Sequence, residues 1–586
     1  MQLQKTLMRI TNEQLENAIE AFKKQKFGEK FIWRKHQKET IIDILKFYTE
    51  NPTGVYILEA PTGSGKSIIA MTVGGVLSRL GKNGYILASD LSLQSQYEND
   101  FKSYKTGWGS VKGIDNYNCL VNGEKTSLGV CKVKNLSMKE TGKLPCFADC
   151  PYFSARNHAI KSEVALLNYS YWLIMQNYVK PRMVGAPFGT RDFTICDEAH
   201  KVTALIQNHF SPQLSLKTIE MLTNLRQFLA REFQLSVNSE IHTVAYLIKE
   251  IFNTQSELDT YEHLKKLEKN LLQFVKSGSG AKEYLRKKYN DKPIPKTFTR
   301  GLNLVDRVKD LHCKVEDFCD IIDKTSPFHV VKSYNGDNVV LNCVEENYMM
   351  QKYFHQNTNF VLMMSATLGD EKSFIDNINA GDRVTKFRKL DNIFDFEKSP
   401  IYVWKNIRMS WKEKAANLPK VVDMTEKILS KHTNEKGIIH TSSYDITNGI
   451  YESLSEESRE RVLIYSDSKN KRELLEYFEK SSDKVLMGPS LLEGLDFYDD
   501  RSRFQIFAKV PYPSLADKFI KRKMEIKPLW YKWQTVVSIE QGVGRSIRNP
   551  EDWAVTYFLD GCLMDLVKWN GDGFTTDFIN RLRIIK

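Results

Sequence analysis

Short apolar runs alternate with longer amphipathic segments through the first part of the chain. Val55–Glu59 (VYILE), Tyr85–Ala88 and Phe193–Cys196 have the length of buried strands, and Ser67–Leu80 has the pattern of a helix that follows the first run. Strands that alternate with helices are typical of a parallel, doubly wound sheet. The pattern therefore predicts an α/β fold.

Two stretches interrupt this alternation. The stretch at 111–150 is polar, rich in Lys and Gly, and holds four cysteines. The stretch at 202–339 has a helical pattern and is highly charged. Strand–helix alternation returns from Phe360 and continues to the end. We therefore expect two α/β lobes with two inserts. The predicted boundaries are lobe 1 at 1–110, 151–201 and 340–386, a cysteine insert at 111–150, a helical insert at 202–339, and lobe 2 at 387–586.

Composition narrows the choice of partner and location. Hydrophobic residues make up 41% of the 586, which excludes a chain that is disordered for want of core material. The net charge of +12 suits a polyanionic partner. No stretch approaches the roughly 20 apolar residues that span a bilayer, and the first ten residues lack the layout of a secretory signal. We expect a cytoplasmic protein in which nine cysteines do not form a disulfide framework.

A phosphate-binding loop follows the first predicted strand. Gly63 and Gly65 let the backbone turn so that its N–H groups face phosphate oxygens, and the following helix adds its positive end. Lys66 is expected to reach the β- and γ-phosphates of ATP, and the Ser67 hydroxyl to bind Mg²⁺. The first glycine of the general pattern is Ala60 here. The alternative is a Gly/Ser turn with a chance lysine. The expected nucleotide contacts of this loop are Thr62, Gly63, Ser64, Gly65, Lys66 and Ser67.

An acidic pair stands at the end of the run Phe193–Cys196. A carboxylate at the carboxyl edge of a strand can hold Mg²⁺ opposite Ser67, which is the role expected of Asp197. Glu198 is then placed to orient and polarise the attacking water. As an isolated tetrapeptide, DEAH is more often a solvated turn, so the interpretation depends on its position after a strand and a phosphate loop.

The second α/β lobe contains an arginine pair in Gln541-Gly542-Val543-Gly544-Arg545-Ser546-Ile547-Arg548. The spacing predicts that Arg545 and Arg548 share one helix face and meet the γ-phosphate as arginine fingers. The alternative is a surface helix with two solvated arginines. Three weaker motifs lie at predicted strand ends: Ser365-Ala366-Thr367-Leu368, Gly437-Ile438-Ile439-His440-Thr441-Ser442 and Glu493-Gly494-Leu495-Asp496.

In this order, the motifs resemble superfamily 2 helicases, and within them the XPD/DinG family. The segments that carry the resemblance are LEAPTGSGKS (58–67), ICDEAHK (195–201), MSATL (364–368), EGLDF (493–497) and QGVGRSIRNPEDW (541–553). Arg34 and Gln37 in WRKHQ match the adenine-side motif of the family. The resemblance implies two RecA-like lobes, a catalytic role for Gln541, nucleotide contacts by Gly494 and Asp496, and an Arch domain at the helical insert.

The cysteines of the first insert allow several interpretations. They are Cys119, Cys131, Cys146 and Cys150. Four thiolates can hold a [4Fe–4S] cluster or a tetrahedral zinc ion, and only Cys146 and Cys150 are closely spaced, unlike the paired cysteines of zinc ribbons. A third interpretation is that the four cysteines are unrelated thiols that bind no metal. The family places an iron–sulfur domain between these motifs, so the resemblance favours the cluster, with a structural role.

The resemblance also implies the reaction: ATP-driven movement 5′→3′ along single-stranded or forked DNA by a monomer, in repair, replication or recombination. An RNA or RNA–DNA hybrid helicase would share every motor motif. A rival of another class is a redox sensor that binds nucleic acid and has a weak motor. A nuclease-coupled motor is a further alternative, but no separate segment of the sequence contains a convincing set of metal-binding carboxylates. Candidate nucleic-acid contacts are the basic segment Lys282–Lys309 and the residues Lys102, Lys105 and Trp108, each equally compatible with a solvated surface.

Overall fold

The computed structural model describes residues 12–133, 138–182, 188–235, 238–289, 296–391, 396–465, 471–491, 497, 499–547 and 552–585. These residues form two seven-stranded sheets and one sheet of three strands. All strand pairs of the two large sheets are parallel. The predicted α/β class with two parallel-sheet lobes is therefore confirmed.

The first sheet carries most of the motifs. Its strands are β1 (Val55–Glu59), β2 (Gly84–Ala88), β3 (Gly109–Ser110), β4 (Val164–Asn168), β5 (Phe193–Cys196), β9 (Phe360–Ser365) and β10 (Thr385–Lys389). Their order is β10-β1-β9-β5-β2-β4-β3. Every residue of β1 is buried, because Val55 and Ile57 face one core while Tyr56 and Leu58 face the other. A parallel strand covered on both faces is apolar throughout, which explains the uninterrupted run in the sequence.

The second sheet forms the other lobe. Its strands are β11 (Ile401–Trp404), β12 (Gly437–His440), β13 (Val462–Ile464), β14 (Val485–Gly488), β15 (Phe504–Phe507), β16 (Val555–Phe558) and β17 (Leu582–Ile585). Their order is β13-β14-β12-β15-β16-β11-β17. Because β10 pairs with β1, the first sheet extends to Lys389 and the boundary predicted at residue 386 cuts through a strand.

The helical insert also contains a small antiparallel sheet, which the sequence prediction missed. Its strands are β6 (Gln213–Ser215), β7 (Val330–Asn335) and β8 (Asn338–Cys343), in the order β6-β8-β7. Strand β8 continues past the expected end of the insert at residue 339. We use the name helical insert below for residues 202–343. The sheet joins the two ends of this segment, since β6 lies near its start and β7 and β8 at its close.

The helices follow the same division of the chain. Those before the helical insert are α1 (Asn12–Lys26), α2 (Gln37–Glu50), α3 (Lys66–Arg79), α4 (Leu91–Ser103), α5 (Val130–Val133), α6 (Met138–Thr141), α7 (Pro151–Lys161) and α8 (Tyr169–Ile174). The insert holds α9 (Val202–Phe210), α10 (Leu216–Phe233), α11 (Asn238–Asn253), α12 (Glu257–Lys288) and α13 (Lys296–Lys324). The remaining helices are α14 (Asn347–Met349), α15 (Glu371–Ile378), α16 (Lys414–Lys431), α17 (Tyr444–Ser453), α18 (Glu456–Arg461), α19 (Lys471–Lys480), α20 (Lys518–Ile526), α21 (Pro528–Val543), α22 (Cys562–Asn570) and α23 (Thr576–Arg581).

Three motif-bearing strands lie side by side in the first sheet. Strand β9 pairs with β1 on one side and with β5 on the other. Parallel strands end at the same edge, so the segments that follow β1, β5 and β9 emerge together there. These segments are the phosphate loop, the DEAH sequence and the SATL sequence. The strand order alone therefore gathers the motifs of the first lobe.

Candidate functional site

The loop between β1 and α3 depends on glycine at two positions. Gly63 and Gly65 have φ angles of 79° and 82°, in the left-handed region that favours glycine. A Cβ atom on Gly65 would lie 2.2 Å from Nε2 of Gln37, so close contact adds to the conformational requirement. Helix α3 begins at Lys66, immediately after this turn. The start of a helix directs backbone N–H groups outward, so the beginning of α3 and the loop before it form a surface suited to phosphate.

Arg34 and Gln37 brace this loop from behind. The Gln37 side chain is buried and donates from Nε2 to the carbonyl of Ser64 over 2.8 Å. Its Oε1 accepts from the backbone N–H of Arg34, also over 2.8 Å. The Arg34 guanidinium in turn donates to the carbonyl of Gly63. The two residues expected on the adenine side therefore also hold the backbone of the phosphate loop.

Asp197 lies at the edge of the sheet just beyond β5. Its carboxylate is buried and accepts from the Tyr97 hydroxyl over 2.8 Å and from the backbone N–H of Glu198 over 2.9 Å. Burial raises the pKa of Asp197, and the charge of Glu198 raises it further, whereas Lys66 acts in the opposite direction. Burial and the charge of Glu198 disfavour the ionised form of this carboxyl group when it stands alone. A bound cation would offset that penalty, so the carboxylate is well suited to hold one. The contribution of Tyr97 was not foreseen, because no local pattern separates it from the other residues of α4.

Glu198 stands in a left-handed backbone conformation with φ of 50°, which non-glycine residues adopt infrequently. Its Oε2 lies 3.4 Å from Oγ of Ser365 and 3.3 Å from Nδ1 of His200. The Ser365 hydroxyl also lies 2.8 Å from Nδ1 of His200. Although burial raises the pKa of Glu198, the nearby charges of His200 and Lys66 hold it below its ordinary value. Glu198 is therefore an anion here, as a group that orients water requires.

One side chain of the second lobe crosses to this group. Nε2 of Gln541 lies 2.7 Å from Nε2 of His200, which links the last turn of α21 to the DEAH sequence. Glu198, Ser365, His200 and Gln541 thus form a continuous polar chain between the lobes. Neither His200 nor Ser365 stood among the expected site residues, although both belong to motifs that were recognised.

The predicted helix through both arginines is wrong for Arg545. Helix α21 ends at Val543, and Arg545 lies in the turn that follows, where its backbone N–H donates to the carbonyl of Gly542 over 3.2 Å. Arg548, Gly494 and Asp496 fall outside the described residues. Arg545 still lines the cleft, and its charge is among those that lower the pKa of Glu198. A short turn can therefore replace the expected helix face.

A single cleft between the lobes collects these side chains. Its cavity volume is about 380 Å³. The expected site residues that line it are Arg34, Thr62, Gly63, Gly65, Lys66, Ser67, Asp197, Glu198, Gln541 and Arg545. Gln37 and Ser64 lie behind the loop rather than on the cleft wall. Lys66 Nζ donates to the carbonyl of Ala60 over 3.0 Å, which keeps the ammonium inside the curve of the phosphate loop.

A buried carboxylate of the second lobe lies beside this cleft. Glu540 accepts from the backbone N–H of Thr575 over 2.6 Å and from its hydroxyl over 2.7 Å. Burial raises the pKa of Glu540 to about 7, and the charge of Glu59 in the first lobe contributes. Glu59 is itself buried and accepts from the backbone N–H of Leu368 over 2.7 Å. The charge of a buried carboxyl group in one lobe therefore acts on a buried carboxyl group in the other.

The four cysteines of the first insert line one small cavity. Cys119, Cys131, Cys146 and Cys150 share its wall with Phe147, Phe153 and other largely apolar side chains. Burial raises the pKa of the Cys131 thiol, and the thiols of Cys150 and Cys119 add to the rise. Cys150 immediately precedes α7, which starts at Pro151 and leads directly to β4 of the first sheet. The donor set and its apolar enclosure fit an iron–sulfur cluster.

The candidate nucleic-acid contacts are distributed unevenly. Trp108 is buried and packs edge-on against Phe101, with ring centroids 5.2 Å apart, so it belongs to the core and is not available for base stacking. In the basic segment, Lys282 pairs with Asp306 at 2.9 Å, while Tyr284 is exposed.

Among the described helices, none combines the length and apolar character needed to cross a membrane.

Comparisons with known proteins cover both lobes. Residues 427–566 match the family model "Helicase C-terminal domain", and residues 30–257 match "Type III restriction enzyme, res subunit". A curated relative, "ATP-dependent DNA helicase YoaA" of Haemophilus influenzae, is 29% identical over 132 residues, which cover 21% of this chain and 20% of the relative. The match thus spans about a fifth of that relative's length.

Solved structures match over nearly the whole chain. An XPD helicase superposes with a TM-score of 0.61 at 17% identity, covering 94% of this chain and 99% of that one. The structure of S. tokodaii Xpd4 gives a TM-score of 0.58 at 14% identity, covering 94% and 100%. These identities establish the shared fold. The two domain models and the YoaA match add a similarity in sequence to helicases, so the chain has the fold of the XPD helicases and resembles superfamily 2 helicases of the XPD/DinG type.

Proposed function

We propose that this chain is an ATP-dependent DNA helicase that moves 5′→3′ along one strand of forked or flap DNA. The observation that carries the proposal is the cleft between the lobes, which gathers a phosphate loop, two acidic side chains and an arginine. Phosphoryl transfer needs little covalent help from a protein and depends on positioning and charge stabilisation. The cleft contains groups suited to each of these tasks.

Each side chain has a distinct part in the proposed reaction. Lys66 and the loop amides bind the β- and γ-phosphates, and Ser67 with Asp197 would hold Mg²⁺. Magnesium supplies charge neutralisation at the phosphate oxygens. Glu198 orients the attacking water, and Arg545 stabilises charge on the transferring group from the opposite lobe. Arg548, Gly494 and Asp496 keep their expected roles as proposals from the sequence.

The polar chain from Glu198 to Gln541 suggests how hydrolysis drives movement. It contains Ser365 and His200, so a change at the γ-phosphate reaches both the SATL segment and the second lobe. When the phosphate leaves the cleft, Glu198 no longer acts on the water that attacks it. The contact between His200 and Gln541 can then rearrange. Repeated opening and closing of the cleft would then advance one strand across both lobes.

The decisive experiment measures ATP hydrolysis by anaerobically purified protein with and without single-stranded DNA. We expect strong stimulation by DNA, loss of hydrolysis in Lys66→Ala, and weaker stimulation by RNA of the same sequence. Equal stimulation by both would favour an RNA or hybrid helicase. An ATPase indifferent to either strand, in a protein that binds DNA only when its cluster is intact, would favour the redox sensor.

Polarity and substrate require strand-separation assays. Forked duplexes with a single 5′ or 3′ tail distinguish the two directions, and flaps, displacement loops and RNA–DNA hybrids rank the substrates. Unwinding that requires the 3′ tail would contradict the proposed polarity. We further propose that the protein works in the cytoplasm, on the nucleoid if its source is bacterial or phage, and as a monomer, which activity linear in protein concentration would support.

We also propose that the four cysteines hold a [4Fe–4S] cluster, in keeping with the cavity that they share. Four thiolates supply one ligand for each iron of such a cluster. The same four side chains could also hold one zinc ion, so metal analysis of the purified protein has to distinguish the two.

The cluster proposal predicts separable effects. Cys119→Ser should lose iron and the brown colour of the protein, and should lose strand separation while DNA-stimulated hydrolysis is largely retained. The reason is that the insert is connected to the first sheet through α7, whereas the cleft is built by other segments. A colourless wild-type protein with bound zinc, or normal unwinding by iron-free Cys119→Ser, would overturn the assignment.

A further inference from the structure

A second group of metal-ligand side chains lies in the helical insert, within α13. The ligand atoms of His312, Cys313 and Glu316 all lie within 4.8 Å of one another. His312 and Glu316 are one helical turn apart and so share a face. His312 and Cys313 are buried, whereas Glu316 reaches the surface. The arrangement brings together an imidazole, a thiol and a carboxylate, with access from solvent on one side.

Helix α12 supplies a fourth residue that orients the histidine. Oε1 of Glu268 lies 3.3 Å from Nε2 of His312, while Oε2 of Glu316 lies 3.9 Å from Nδ1 on the other side of the ring. When Nε2–H donates to Glu268, Nδ1 presents its lone pair toward Glu316 and Cys313. A histidine whose other nitrogen donates to a carboxylate is the usual arrangement of a metal ligand and its support.

We propose that His312, Cys313 and Glu316 bind a zinc ion, with Glu268 as the residue that positions His312. Thiolate, imidazole and carboxylate together suit Zn²⁺, whereas Ca²⁺ and Mg²⁺ prefer oxygen ligands alone. Binding forms a bond to each of the three side chains and releases the thiol proton of Cys313. A water molecule or a partner's side chain completes the fourth position.

A simpler explanation of the group is a protonated histidine between two carboxylates. That explanation accounts for Glu268 and Glu316, whereas a metal ion would also use Cys313, whose ligand atom belongs to the same close group. Zinc would use all three ligands and would connect α13 to α12 through the pair of His312 and Glu268, which stiffens the two longest helices of the insert.

The test uses the full chain, purified anaerobically with matched iron content and freed of loosely bound metal by a chelator. Co²⁺ is added as the probe, and the spectrum of the untreated protein is subtracted so that cluster absorbance cancels. We expect thiolate-to-cobalt charge-transfer bands that one equivalent of Zn²⁺ removes. Cys313→Ser should lose these bands. Cys562→Ser, which changes a cysteine of the second lobe in α22, should retain them.

Affinity provides the second readout. Glu268→Gln should weaken zinc binding about 10- to 100-fold, as loss of a supporting carboxylate does at other metal sites. Glu316→Gln changes an exposed ligand and so should weaken binding without disturbing the core, which covers the case in which Cys313→Ser fails to fold. Equal cobalt bands in wild type and Cys313→Ser would show that cobalt binds elsewhere, at the cluster cysteines for example, and would overturn the proposal. Unchanged zinc affinity in Glu316→Gln would overturn it as well.

Discussion

The two walls of the cleft take their side chains from different kinds of secondary structure. On the first lobe, the phosphate loop, Asp197, Glu198 and Ser365 follow three adjacent strands of one sheet, so backbone pairing fixes their relative positions. On the second lobe, Gln541 ends a helix and Arg545 occupies the turn after it. The first wall is thus set by a single sheet, whereas the second wall belongs to the other lobe and meets the first across the cleft.

This difference separates binding from turnover. Under the proposed function, we expect the groups on the sheet edge to bind nucleotide without the second lobe, because all of them belong to the first. Arg545 and Gln541 would act only when the lobes meet, so we expect them to contribute to the transition state and to the coupling of hydrolysis with movement. Substitutions on the two walls should therefore have different kinetic signatures, which the following predictions exploit.

Arg545→Ala should have the largest effect. Removal of an arginine finger typically costs 10³-fold or more in kcat, so we expect a fall of about 10³ with KM for ATP little changed. Arg545→Lys should recover little, because a point charge cannot reproduce the planar guanidinium. Steady-state ATPase assays at saturating DNA measure both constants. A raised KM with normal kcat would place Arg545 in ground-state binding and would remove the distinction between the walls.

Glu198→Gln should lower kcat by about 10²- to 10³-fold, the range expected when a group that activates water loses its charge. Nucleotide affinity should stay the same or rise, because the substitution also removes a negative charge near the phosphates. Equilibrium binding of a fluorescent ATP analogue tests this half of the prediction. If ATP binding were lost together with turnover, Glu198 would have to be regarded as part of the binding wall.

Glu540→Gln should stabilise the protein at neutral pH. Burial raises the pKa of Glu540 from 4.5 to about 7, so the folded chain binds an extra proton between those values. The wild type should therefore lose stability as pH rises from about 4.5 to 7, by about 1–3 kcal/mol at most. The stability of the variant, measured by thermal unfolding, should change less with pH across this window. Glu452→Gln, at an exposed position, is the control and should behave as wild type; an unchanged pH profile in Glu540→Gln would refute the assignment.

Gln541→Ala should have the smallest effect on hydrolysis. One neutral hydrogen bond contributes about 1 kcal/mol, which corresponds to roughly a five-fold fall in kcat. Its effect on unwinding should be larger than on hydrolysis, because the bond to His200 joins the lobes. A double-mutant cycle with His200→Ala tests the contact directly. Additive effects of the two substitutions would show that the pair does not couple the walls.

Much of the first wall could be predicted from the sequence. The run VYILE at 55–59 forms β1 over those same residues, and the strand at 193–196 is also reproduced. Here each local signal agrees with the fold, since an apolar run, a glycine turn and an amphipathic helix follow one another. Two parts of the site that escaped prediction, Tyr97 and His200, depend on contacts between segments far apart in the chain.

The small sheet of the helical insert shows the same limit. Strand β7 (VVKSYN) has little alternation, and β6 is only three residues long, so neither stands out within a charged, helix-rich segment. The strands form because Val330–Cys343 folds back on itself and Gln213–Ser215 completes the edge. The end of α21 at Val543 was missed for another reason. The arginine spacing suits a helix, but Gly542 and Gly544 weaken one there.

The position of β9 in the first sheet has a consequence for synthesis on the ribosome. Strand β9 lies between β1 and β5, yet residues 197–359 are made after β5 and before it. Until then, β1 lacks both of its neighbours, since β10 comes later still. A nascent chain would therefore expose unpaired edges of β1 and β5 while the helical insert emerges. Chaperone demand during translation should peak before residue 360 appears and fall once β9 is inserted.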